Sequence, residues 1–127
     1  MSVQLNHTIV AARDKQEAAE FLAKVMGLHV GTPMGPFVPV ETANGVTLDF
    51  ADATDVTPQH YAFLVTEEEF DAIFGRIQEA GITYYAYPGH GRPGEINHRD
   101  GGRGVYFDDP NGHVLEILTR PYGSQAA

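Results

Sequence analysis

Gly45-Val46-Thr47-Leu48-Asp49-Phe50 and Gly112-His113-Val114-Leu115-Glu116-Ile117 align without a gap: glycine meets glycine, leucine meets leucine, and Asp49 falls opposite Glu116. Each stretch closes one half of the chain, and the halves run in the same order. A short apolar run opens each, Leu5–Val10 with His7 in it and His60–Val65 starting on a histidine, so His7 falls opposite His60. A fixed internal repeat of this kind marks a duplicated supersecondary unit.

Between these ends each half carries one helix. Asp14 opens the first, with Glu17 placed for a capping box, and Ala18, Phe21, Leu22, Val25 and Met26 recur at helical spacing before Gly27 stops it. Thr66 and Glu69 form the second capping box, ahead of the stripe Phe70, Ile73, Phe74 and Ile77 and the stop at Gly81. Strands are expected near Leu28–Gly31, Phe37–Thr42 and Val46–Ala51, and then near Thr83–Tyr87, Gly104–Phe107 and His113–Thr119. The reading is one α+β domain over 1–127. Two βαβββ modules, about 3–55 and 56–122, are expected to join in a curved mixed sheet.

The chain has 127 residues, enough to bury a core. With 17 acidic residues against 8 basic, its formal charge of −9 argues against nucleic acid or an anionic membrane as partner. It has no cysteine, so neither disulfides nor thiolate metal ligands are available. No signal-like start or membrane-length apolar run is present, and a cytoplasmic location is the expectation.

Side chains alternate along a strand, so His7 shares a face with Leu5 and Ile9, His60 with Ala62 and Leu64, and Glu116 with Val114 and Leu118. If the first and last strands of each half meet, His7, His60, Glu116 and Asp49 come to one cleft. Two imidazoles and a carboxylate with open positions suit Fe(II), and also Zn, Ni, Co or Mn. His7, His60 and Glu116 are therefore the candidate ligands and Asp49 a candidate fourth. Each also has a plainer role, as a hydrogen-bonded strand histidine or a solvated carboxylate. His29, His90 and His113 read as structural or solvent-facing. Asp109-Pro110-Asn111-Gly112 reads as a tight turn that sets the register of Glu116.

On Leu5–Val10, His60–Val65 and Tyr106–Glu116 the chain resembles the vicinal oxygen chelate superfamily, which includes glyoxalase I, bleomycin-resistance proteins, methylmalonyl-CoA epimerase and type I extradiol dioxygenases. The resemblance covers Leu5 to Tyr122 and implies that family's fold, a divalent metal, a small-molecule substrate and a homodimer. A narrower resemblance to extradiol dioxygenases rests on the order His98, Tyr106, Asp109-Pro110-Asn111-Gly112, Glu116. It implies Fe(II), a catechol-like substrate, and His98 and Tyr106 as acid/base and hydrogen-bond donors. The further active-site histidine of the larger dioxygenases has no counterpart in Asn44–Gln59. Arg103 could hold a substrate carboxylate, or pair with Asp100 or Asp108. Two alternatives stand beside the dioxygenase: a glyoxalase I-type lyase or epimerase using Asp49, and a metal-free drug-binding protein of the bleomycin-resistance type.

Overall fold

The computed structural model describes residues 2–124 and divides into two compact units, one up to Thr57 and one from Pro58 onward. In the first unit, β1 (His7–Ala12) runs parallel to β3 (Thr47–Asp52), and β2 (Phe37–Glu41) pairs antiparallel on the other side of β3. Helix α1 (Lys15–Met26) covers one face of this sheet and buries Leu22, Val25 and Met26, while Val10, Val38, Leu48 and Phe50 are buried from the strands. The helix begins where Asp14 accepts the amide of Glu17, and ends where Gly27 turns left-handed at φ 74°.

The second unit repeats the plan and extends it. Strand β4 (His60–Leu64) runs parallel to β8 (Val114–Leu118), which pairs antiparallel with β7 (Gly104–Asp108). Beyond β7 lie β5 (Tyr84–Tyr87) and β6 (Gly91–Pro93), so the order is β4-β8-β7-β5-β6. Helix α2 (Glu67–Glu79) starts at a complete Thr66/Glu69 capping box. It packs through Phe74, edge-on against Tyr84.

The strands divide into two hydrogen-bonded sheets, one within each unit, where the sequence suggested a single curved one. The expected strand at Leu28–Gly31 is reduced to one bridge, Val30 to Val40, because glycines at both ends and an exposed course leave it little to pair with. Strand β6 was not foreseen, since Gly91-Arg92-Pro93 has the composition of a turn. The repeat holds at the level of register. Ile9, two residues after His7, pairs with Asp49, and Ala62, two residues after His60, pairs with Glu116.

Candidate metal centre and substrate cavity

Alternation along β4, β8 and β7 puts His60, Ala62, Glu116, Tyr106 and Asp108 on one face of the second sheet, opposite the face that carries Tyr84 and Phe107. The turn before β8 fixes this aim. Asp109 Oδ1 accepts the amides of Asn111 and His113, and Gly112 takes φ 88°. His113, out of phase with Glu116, is buried and accepts the Gln59 amide at Nδ1. Its role is structural.

His60 Nδ1 lies 3.0 Å from the Val114 carbonyl oxygen, and Nε2 lies 3.0 Å from Glu116 Oε1. A carbonyl oxygen can only accept, so Nδ1 carries the hydrogen. In a neutral ring Nε2 then presents a lone pair to a carboxylate oxygen. Two acceptors at that separation need a cation between or beside them: a second ring proton or a metal ion. Two cis ligands each about 2.1 Å from one ion span about this distance. A backbone carbonyl that fixes the tautomer of a ligating histidine is a usual support of metal sites. The donor set thus fits a divalent ion at His60 and Glu116.

His7 shows the same pattern in the first unit. Its Nδ1 pairs with the Asn6 side-chain oxygen at 2.8 Å, which leaves Nε2 as the lone-pair nitrogen, and the ring is exposed. Asp49 is half-buried on β3, two residues beyond the His7 pairing position. Among the described residues, no group of three or more His, Cys, Asp or Glu side chains is gathered as a metal would need.

A cavity of about 590 Å³ opens on the same face and is lined by His60, Glu116, Tyr106 and residues of the 97–103 loop and the 118–122 segment. Such a volume suits a small organic molecule. The Tyr106 ring stacks on His60 with centroids 5.8 Å apart, and its hydroxyl accepts from Arg99 Nη1 at 3.1 Å. Burial raises the Tyr106 pKa above the usual phenol value and the Glu116 charge adds to this, while Arg99 opposes it. Tyr106 is therefore a protonated donor throughout the neutral range.

The other sequence candidates are placed differently. His98 is exposed and does not line the cavity, although its neighbours Asn97 and Arg99 do. Arg103 lines the cavity, but its guanidinium is held by Glu67 and Asp71 at 2.8 and 2.9 Å and lies over the Phe70 ring. These partners replace the expected Asp100 or Asp108; both lie on α2, which the sequence did not place beside Arg103. Asp108 instead binds His90 at 2.8 Å. Arg99, Arg120 and buried Asn97 were missed. Their only sequence signal was their presence in or near a long polar loop.

The sequence profile of the Glyoxalase/Bleomycin resistance protein/Dioxygenase superfamily matches residues 4–117. The chain belongs to this superfamily. The chain is similar to the solved structure of oxidase ChaP-H2, which is 68% identical, with a TM-score of 0.96 over 99% of this chain and 100% of that one. Two curated relatives are glutathione transferase FosA of Serratia marcescens and metallothiol transferase FosB of Shouchella clausii (strain KSM-K16). FosA is 30% identical over 92% of this chain and 81% of its own length. FosB is 40% identical over 91% of this chain and 79% of its own. Superfamily members thus include enzymes of more than one reaction class, and the reaction must be argued from the site. No helix among the described residues is long and apolar enough to cross a membrane.

Proposed function

We propose that this superfamily member is a metal-dependent oxygenase of the extradiol dioxygenase kind, acting on a small catechol-like substrate. His7, His60 and Glu116 are the ligands, with Fe(II) the metal of choice. The observation that carries the reading is the His60 geometry: an Nδ1–H fixed on a carbonyl and an Nε2 turned onto Glu116. The similarity to a protein named an oxidase supports the oxidative branch.

When bound, such an ion supplies a Lewis-acidic, redox-active point at which a vicinal dioxygen substrate and O2 can meet. The chain's own groups do the rest. Val114 fixes the His60 ring, Tyr106 donates its hydroxyl hydrogen to a substrate oxygen, and the cavity walls limit water. His98, exposed beside two lining residues, carries protons between cavity and solvent. A second reading, a lyase or thiol transferase, is favoured by Asp49, whose register matches that of Glu116 and which would serve as a fourth ligand or base.

Metal content and turnover together test this. Protein purified without added metal should hold a divalent ion that His7→Ala, His60→Ala and Glu116→Ala each lose, and the iron form should consume O2 with a catechol. His98→Gln should keep its metal and lose on the order of a hundredfold in kcat. Metal binding by the triple variant as tight as wild type would sink the ligand assignment. Turnover of a dicarbonyl–thiol adduct by the Zn or Ni form, with the iron form inert to catechols, would install the lyase reading.

A further inference from the structure

Three of the chain's 8 basic Lys and Arg residues line the cavity beside Glu116, in a protein with 17 acidic residues. Arg103 is neutralised there by Glu67 and Asp71. Among the described residues, no carboxylate pairs with Arg99 or Arg120. Arg99 bonds the Tyr106 hydroxyl, and its guanidinium lies 5.2 Å from the Tyr87 ring centre and 5.9 Å from that of Tyr106. Arg120 donates to the Ser124 carbonyl, at 3.1 Å. The carboxylates on the lining are engaged elsewhere, Asp100 with the Gly123 amide and Glu116 with His60.

The Arg99 guanidinium lines the same cavity as Arg120 and, among the described residues, neither has a carboxylate partner, so the site is short of an anion. The planar fork of a guanidinium matches a carboxylate bidentately, and partial exclusion of water strengthens the pair. The perch of Arg99 between two tyrosine rings limits its freedom, so little order is lost on binding. Ala62, Pro88, Leu118 and Tyr122 supply apolar wall around these charges.

We propose that the cavity takes a hydroxylated aromatic acid, its carboxylate on Arg99 and Arg120 and its hydroxyl end toward His60 and Glu116. Only the placing of the hydroxyl end rests on the metal reading above; the carboxylate subsite stands on the arginines. Because Arg99 also bonds Tyr106, a seated carboxylate brings the substrate within reach of the same hydroxyl that is the proposed donor.

The test uses 1-hydroxy-2-naphthoate, followed by its fluorescence, with neutral 1-naphthol as the uncharged probe, on metal-free and zinc-loaded protein. Wild type should bind the naphthoate at least tenfold more tightly than naphthol in both forms. Arg99→Gln and Arg120→Gln should each weaken naphthoate on the order of tenfold and leave naphthol unchanged, and Arg99→Lys should recover part of the loss. Circular dichroism melts check that each variant is folded, and the two sites are independent tests should one fail. Equal binding of the two probes, or a preference that survives both glutamine variants, overturns the proposal. Metal content measured on the same samples separates the readings. Loss of the naphthoate preference with metal still bound refutes the acid subsite alone, and a preference kept by protein that never binds metal refutes the metal centre alone.

Discussion

Tyr106 stands between a guanidinium and a carboxylate, and its burial keeps its proton in place. Tyr106→Phe removes the hydroxyl but keeps the ring that stacks on His60. It should lower kcat on the order of a hundredfold with metal still bound, checked by steady-state kinetics beside metal analysis. The raised pKa also has a thermodynamic side. A group whose folded pKa lies above its unfolded value contributes stability that is complete below the unfolded pKa, about 10 for tyrosine, and is lost as pH rises through the folded one. Tyr61 is raised in the same direction, by burial and then by the charge of Asp109. Wild type should therefore lose Tm steeply only above about pH 10, and Tyr106→Phe should soften that loss. At this scale the meeting of His60 and Glu116 was legible in the sequence, because strand alternation and the repeat gave both a face and an equivalent. It could not carry Arg99, whose role depends on Tyr87 and Tyr106 meeting it from two other strands.

The loop before β7 is held by a close approach. Asn97 and Gly104 exchange both backbone hydrogen bonds, the Asn97 amide donates to the Ala86 carbonyl at 2.7 Å, and its oxygen accepts the Arg99 amide. A Cβ on Gly104 would lie 2.9 Å from Asn97 Oδ1 and 3.0 Å from Nδ2. The side chain cannot retreat without giving up its bonds in a buried place. Gly104→Ala should cost about 2 kcal/mol, read by urea denaturation. Elements with local rules were legible: both helix starts, the Gly27 stop and the Asp109–Gly112 turn rest on residues a few positions apart. Strand β6 was not, because only its partner β5 makes Gly91-Arg92-Pro93 a strand.

Val3, Leu5 and Ile9 near β1, and Leu64 on β4, are large apolar side chains left more than half exposed. A chain of charge −9 keeps such groups in the open at a cost in solubility, and a second copy is the simplest cover. The proposed homodimer should sediment as such at micromolar concentration. If His7 of one copy completes the His60 and Glu116 pair of the other, co-expressed His7→Ala and Glu116→Ala chains should recover metal that neither holds alone. A monomer at that concentration would remove the idea. The duplication of the whole molecule was legible from the paired histidines and acids. The division into two sheets was not, since hydrophobic pattern says which face is buried but not which strands share hydrogen bonds.

In both units the last strand in sequence lies inside its sheet, not at an edge: β3 sits between β1 and β2, and β8 between β4 and β7. The β7–β8 and β5–β6 hairpins close over short loops, whereas β8 must find β4 across a span of 54 residues. Chain closure over that distance is entropically late, and parallel pairing gains little until it is complete. His60 and Glu116 lie on the two sides of this seam. An ion that uses both meets its ligands only after the slow pairing has occurred, so it would restrain the chain's opening while leaving the pace of its folding almost unchanged.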